Sequence, residues 1–201
     1  MDGEDVRVPV ALADLTWPVT TERLTLRPAE QRDALPTFAF RRLPEVAHWL
    51  TAHSTDPDAW EAGYAERIPQ TLIVEKDGTV IGDLYLHVQD PWAQTEVKEQ
   101  AAGTVAEIGY TFDPAYGGQG YATEAVRAEL RICFEEIGVR RVTAALFADN
   151  EPSWRLLERV GMRREQHARK DSLHRSGEWL DGMAYALLAD EWRAANDSSA
   201  G

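Results

Sequence analysis

The chain has 201 residues, of which 44% are hydrophobic and 27% charged, and this size and balance indicate one globular domain. Acidic residues outnumber basic ones by 34 to 21, so we expect neither nucleic acid nor an anionic membrane surface as a partner, since such phosphates are bound through many lysines and arginines. The single cysteine, Cys133, excludes an intrachain disulfide and is interpreted as a core residue.

An irregular N-terminal arm over residues 1–19 precedes the predicted domain over 20–193, and a flexible tail follows over 194–201. The N-terminus lacks the basic and apolar pattern of a signal peptide, and no apolar run is long enough for a membrane span. We therefore expect a cytoplasmic protein, as a monomer or a homodimer. Five scattered histidines without ligand spacing give no reason to expect a metal.

The first half of the domain is predicted as four strands with helical pieces between the first two. Asp77-Gly78 joins the second and third strands and is typical of a hairpin turn. A polar excursion over 90–104 leads to the fourth strand. These strands are placed at residues 23–27, 71–75, 79–86 and 105–112.

In the second half, a helix that follows Gly120 and ends at Gly138 carries an apolar stripe at helical spacing. The stripe consists of Ala122, Val126, Leu130, Cys133 and Ile137. A short helix and three more strands follow, the strands at 141–147, about 162–170 and 178–188. The order of elements predicts a single α/β (α+β) domain, with a mixed sheet and helices on both faces.

A glycine-rich turn, Gly117-Gly118-Gln119-Gly120-Tyr121-Ala122, joins the fourth strand to this helix. The first N–H groups of a helix have no partner within it, and with the helix dipole they favour an anion such as phosphate. A Walker loop would need Gly-Lys-Ser or Gly-Lys-Thr, and a dinucleotide fingerprint would need a glycine where Thr123 stands. The sequence thus argues against an NAD-linked oxidoreductase, and a tight turn without a ligand remains the alternative.

Further sequence motifs lie on both sides of this turn. Glu107-Ile108-Gly109-Tyr110 precedes it, and Asn150-Glu151-Pro152-Ser153 and Leu157–Met162 follow it. Together with the opening Thr21–Pro28, they resemble the GNAT superfamily of N-acetyltransferases, in particular the branch that includes the ribosomal-protein N-terminal (alanine) acetyltransferases. The resemblance covers about residues 20–190 and implies a central, mostly antiparallel, twisted sheet of about seven strands. One departure is Gly117, where the family usually has Gln or Arg.

The resemblance implies transfer of an acetyl group from acetyl-CoA to a primary amine of a small molecule, peptide or protein N-terminus, by direct attack in a ternary complex. Backbone groups of the fourth strand would align the thioester, and loop N–H groups would hold the pyrophosphate. The implied coenzyme-binding residues are Tyr110, Thr111, Phe112, Gly117, Gly118, Gln119, Gly120, Tyr121, Ala122, Thr123, Asn150 and Ser153. Another acyl-CoA, such as succinyl-CoA, and a non-catalytic acyl-CoA-binding sensor remain open.

The reaction needs a proton acceptor and a proton donor. Glu107, on the fourth strand, is the first candidate for the base, and Asp83 is the weaker one. Ser153 occupies the position expected to protonate the leaving thiolate. The alternatives are a solvent-facing strand acid for Glu107 and a helix-capping role for Ser153 and for Asn150.

Trp49, Trp60 and Asp83 are the residues expected to bind the acceptor. Aromatic and acidic side chains together suit a cationic amine, because cations are attracted to aromatic faces and carboxylates. The alternative is a solvated acidic helix face. The acids concerned are Asp56, Asp58, Glu61 and Glu66.

Overall fold

Eight strands form one sheet in the computed structural model, which describes residues 12–197. Most of the predicted arm, residues 1–11, and the last four residues of the predicted tail lie outside the described residues. The sheet order is β1-β2-β3-β4-β5-β6-β8-β7. The strands are β1 Val19–Thr20, β2 Thr25–Pro28, β3 Thr71–Lys76, β4 Thr79–Gln89, β5 Val105–Phe112, β6 Arg141–Phe147, β7 Arg163–Leu173 and β8 Trp179–Leu188.

The predicted mixed, mostly antiparallel sheet is confirmed, because every neighbouring pair except β5–β6 is antiparallel. Seven of the strands correspond to predicted ones, and the fourth predicted strand is β5. The additional strand is β1, in which Val19 pairs with Leu26. A two-residue strand is too short to show the alternation on which such predictions depend.

The parallel pair β5–β6 is short. Residues 105–107 pair with residues 141–143, and the pairing stops there. Beyond that point β5 continues along β4 to Phe112, whereas β6 continues along β8 to Phe147. The two strands therefore diverge and open a wedge in the middle of the sheet.

Helices cover both faces of the sheet, as predicted. Their ranges are α1 Ala34–Arg41, α2 Pro44–Ala47, α3 Pro57–Gly63, α4 Tyr121–Arg131, α5 Glu151–Arg159 and α6 Ala189–Asp197. α4 connects β5 to β6 and continues as a π-helical turn to Ile137, ending at Gly138 with φ +80°. Among residues 12–197, no helix is long and apolar enough to cross a membrane.

Two hydrophobic clusters hold these layers together. The larger one packs α4 and α5 on one face of the sheet, and Leu84, Ile108 and the α4 stripe belong to it. Cys133 is fully buried there, which confirms it as a core residue. The smaller cluster packs α1 and α3 on the opposite face, around Ile73 and Trp60. Both faces of the sheet are therefore covered by helices that pack on it through buried apolar side chains.

Candidate active site

A cavity of about 450 Å³ opens at the wedge between β5 and β6. It brings together eight residues that the sequence pointed to from separate segments. The residues are Trp49, Trp60, Asp83, Glu107, Tyr110, Thr111, Asn150 and Ser153. The predicted base and the predicted thiolate partner therefore line one space, although 46 positions separate Glu107 from Ser153 along the chain.

The free edge of β5 can be assigned from the bonds at its two ends. Just before β5, the carbonyl oxygen of Thr104 accepts a hydrogen bond from the N–H of Arg140, on the side of β6. Just after β5, the N–H of Asp113 donates to the carbonyl oxygen of Ile81, on the side of β4. Successive residues of a strand direct their backbone groups to opposite edges. Even-numbered residues of β5 therefore face β6.

Past the paired segment, three residues direct their backbone N–H and C=O groups into the wedge: Ile108, Tyr110 and Phe112. Of the predicted coenzyme contacts, Tyr110 and Phe112 fit this edge. Thr111 does not, because its backbone faces β4, opposite Asp83. Sequence reasoning missed Ile108, although counting by two from Tyr110 would have found it.

The glycine-rich turn provides a second set of backbone donors at the start of α4. Gly118 and Gly120 adopt φ of +72° and +83°, a left-handed conformation that glycine enters without steric penalty. In the part of the chain that the structure describes, the backbone N–H groups of residues 118–123 donate no hydrogen bond to another protein group. Six consecutive donors at a helix N-terminus fit an anion such as a pyrophosphate.

Arg23 and Glu124 support this turn, and sequence reasoning missed both. Arg23 donates from its backbone N–H and from Nε to Glu124, at 2.9 and 2.7 Å. It also donates to the carbonyl oxygen of Gln119 at 3.0 Å and lies 4.5 Å from the centre of the Tyr121 ring. The turn is therefore supported by a residue of the β1–β2 connection, far from it in the sequence.

Tyr110 contacts Ser153 across the wedge. Its hydroxyl oxygen lies 2.9 Å from the carbonyl oxygen of Ser153 and 2.8 Å from Ser153 Oγ. Burial raises the pKa of Tyr110, so its hydroxyl is a neutral hydrogen-bonding group at pH 7. Asn150 precedes α5, but its side chain makes no capping hydrogen bond to that helix. It lines the cavity instead.

Asp83 has a different environment from the one expected for a base. It is 5% exposed and lies 2.5 Å from Nη1 of Arg41, which also donates to Oγ1 of Thr111 at 3.0 Å. This carboxylate is therefore engaged in an ion pair with Arg41 and turned away from solvent. Glu107 is only half-buried on β5, and in the described chain no basic group lies within ion-pair distance of it.

The two tryptophans predicted to bind the acceptor both line the cavity. Trp60 is 7% exposed, and its Nε1 donates to the carbonyl oxygen of Ala34 at 2.8 Å, which fixes the ring. Trp49 is half-buried and also lines the cavity. The two rings thus lie in the same cavity as Glu107 and Ser153, and their role toward an acceptor stays a prediction.

The acids near these tryptophans in sequence do not line that cavity. Asp56 accepts a hydrogen bond from the N–H of Asp58 at 2.9 Å and caps α3. Asp58, Glu61 and Glu66 are exposed. This exposure fits the other interpretation of these acids, a solvated acidic helix face. The charge of the acceptor stays a prediction.

Comparison with known proteins agrees with this architecture. The Acetyltransferase (GNAT) domain profile matches residues 23–163. The uncharacterized N-acetyltransferase YnaD of Bacillus subtilis is 29% identical over 181 residues, covering 87% of this chain and 98% of its own length. The putative ribosomal N-acetyltransferase YdaF of the same organism is 30% identical, covering 85% and 94%. A GNAT-family acetyltransferase structure from Bacillus anthracis superposes with a TM-score of 0.74 at 26% identity, covering 87% and 99%. The chain belongs to the GNAT acetyltransferase family.

Proposed function

We propose that the protein transfers the acetyl group of acetyl-CoA to a primary amine of a small molecule, peptide or protein N-terminus, in a ternary complex. One observation carries this proposal: a single cavity joins the free backbone edge of β5 to Glu107 and to Ser153. A thioester lying along that edge would have a base and a hydroxyl within the same space. The name of the relative YdaF, a putative ribosomal N-acetyltransferase, supports including protein N-termini among the acceptors.

The coenzyme would be held by backbone groups rather than by basic side chains. The N–H groups of residues 118–123 suit the pyrophosphate, and the β5 edge at Ile108, Tyr110 and Phe112 suits the amide groups of the pantetheine arm. A backbone N–H pointing at the thioester oxygen would stabilise the charge that develops there, and loss of such a donor costs about 3 kcal/mol in other enzymes. An acidic protein can thus bind an anionic coenzyme.

The side chains of the cavity would be needed to transfer protons. An alkyl amine with a pKa near 10.4 is protonated at pH 7, and removing its proton costs about 4–5 kcal/mol. Glu107 would accept that proton, directly or through one water, before the amine nitrogen attacks the thioester carbon. As the carbon–sulfur bond breaks, the proton lost by the attacking nitrogen would be relayed through Ser153 Oγ to the departing thiolate, so that the products are the neutral amide and the free thiol of coenzyme A. The Tyr110 hydroxyl positions Ser153 for this step.

The test is a thiol-release assay with acetyl-CoA and a panel of amines, run beside calorimetric titration of coenzyme A. We expect micromolar binding of coenzyme A, amine-dependent release of thiol, and an N-acetylated product in mass spectrometry. Tight coenzyme binding with no turnover of any amine would favour a non-catalytic acyl-CoA sensor. Faster turnover with succinyl-CoA than with acetyl-CoA would reassign the acyl group.

A further inference from the structure

One basic side chain of the cavity lining has no carboxylate partner among residues 12–197. Arg67 lies between α3 and β3, lines the cavity, and places its guanidinium 4.6 Å from the centre of the Trp60 ring. We propose that Arg67 binds a carboxylate of the acceptor, so that the acetylated amine is that of an amino acid. This inference rests on the proposed function and narrows its acceptor.

The other arginines of similar burial show that Arg67 is unusual. Arg27, Arg41 and Arg141 are partly buried like Arg67, and each of them pairs with an Asp or Glu. A charge removed from water is normally compensated by a partner, because leaving it alone is expensive. The missing partner of Arg67 is therefore expected on the ligand.

The surroundings of Arg67 strengthen this argument. Burial, with the nearby charge of Arg41, lowers the pKa of Arg67, yet a guanidinium remains protonated at neutral pH. Arg41 is already neutralised by Asp83 at 2.5 Å, so it does not compete for the anion. Glu66 follows α3 but is exposed and forms no ion pair with Arg67 within the described residues.

A zwitterion matches the cavity as a whole. Within the described part of the chain, Glu107 presents a carboxylate without a basic partner, and Arg67 presents a cation without an acidic one. An acceptor with its ammonium toward Glu107 and its carboxylate toward Arg67 satisfies both. A doubly charged phosphate fits less well, since the same cavity holds Asp83 and Glu107 against one unpaired cation.

The experiment compares L-amino acids with their carboxamides, which keep the amine and the side chain but remove the anion. The amide has the more easily deprotonated amine, so chemistry alone favours it. For the best substrate we expect kcat/KM at least about tenfold higher for the acid, in keeping with a charge-assisted hydrogen bond. Arg67→Met should remove this preference, raise KM for the acid and leave KM for acetyl-CoA unchanged. Arg67→Lys should restore part of it.

Arg42→Met is the matched control, because Arg42 also stacks on an aromatic ring, 5.9 Å from the centre of Phe38, but is exposed and does not line the cavity. It should keep the preference for the acid. Equal kcat/KM for acid and amide in the wild type, or an equal loss for both in Arg67→Met, would overturn the inference. So would a peptide or a plain alkylamine as the best acceptor.

A binding measurement separates this inference from the proposed function. Acid and amide are titrated calorimetrically into the wild type and Arg67→Met, each saturated with coenzyme A. Tighter binding of the acid without turnover of any amine would support the carboxylate site and refute the proposed transferase. Turnover of amines with no preference for the acid in binding or in kcat/KM would leave the transferase intact and refute the role of Arg67.

Discussion

Replacing Glu129 should stabilise the protein, and more so at higher pH. Glu129 lies on α4 and is fully buried, and among residues 12–197 neither of its carboxyl oxygens has a hydrogen-bond partner. Burial raises the pKa of Glu129 well above its ordinary value, so the folded protein holds this carboxyl in its neutral form. It does so inside the helix whose first turn would bind the coenzyme.

Two contributions set how much Glu129→Met should raise the free energy of unfolding. A neutral polar group buried without a hydrogen bond costs roughly 1–3 kcal/mol, which Glu129→Met removes. The second contribution depends on pH. Since the folded-state pKa lies above the unfolded one, the folded state binds the extra proton, and stability falls as pH rises from about 4.5 toward the folded-state pKa. The free energy of unfolding falls by at most about 1.4 kcal/mol per pH unit through this one group.

The assay is urea denaturation of the wild type and Glu129→Met at several pH values between about 5 and 8. We expect the variant to be more stable throughout, with a difference in unfolding free energy that widens as pH rises. Glu136→Met is the control, because Glu136 is exposed and lies 3.8 Å from Arg131 at the surface. It should change stability by less than about 0.5 kcal/mol. Parallel pH profiles for wild type and Glu129→Met would refute the reasoning.

Three further predictions concern the proposed reaction. Gly120→Val should weaken coenzyme A binding, measured by calorimetry, by about tenfold or more, because φ of +83° strains a branched residue. Gly177→Val is the control: Gly177 has φ of +89° in the β7–β8 turn, and its replacement should not change that affinity. Ser153→Ala should lower kcat by about tenfold or more with the KM for acetyl-CoA unchanged, and an unaffected kcat in the thiol-release assay would contradict its role. Glu107→Gln should lower kcat/KM by about a hundredfold for alkyl amines at pH 7, with a smaller loss for amines of low pKa or at higher pH. A loss independent of amine pKa would contradict Glu107 as the base.

Local patterns predicted most of the fold and the coenzyme loop. The Asp-Gly hairpin, the α4 stripe and the glycines before α4 are local features, in which neighbouring residues determine the backbone conformation. The resemblance to the GNAT superfamily rested on such segments and is confirmed by the family match.

The contacts that local patterns could not predict join distant segments. Arg23 and Glu124 are 101 positions apart, and Arg41 and Asp83 are 42 apart. No periodicity indicates which arginine meets which carboxylate, since the fold decides that. For the same reason the sequence left open whether the acids near α3 face the acceptor or solvent, and the orientation of the helix leaves them exposed.

Electron density of the protein crystallised with coenzyme A would show directly whether the wedge between β5 and β6 is the coenzyme site. We expect the pyrophosphate against the N–H groups of residues 118–123 and the pantetheine arm between β5 and β6, with its sulfur in the cavity lined by Glu107 and Ser153. Coenzyme bound elsewhere, or with its sulfur outside that cavity, would contradict the proposed function.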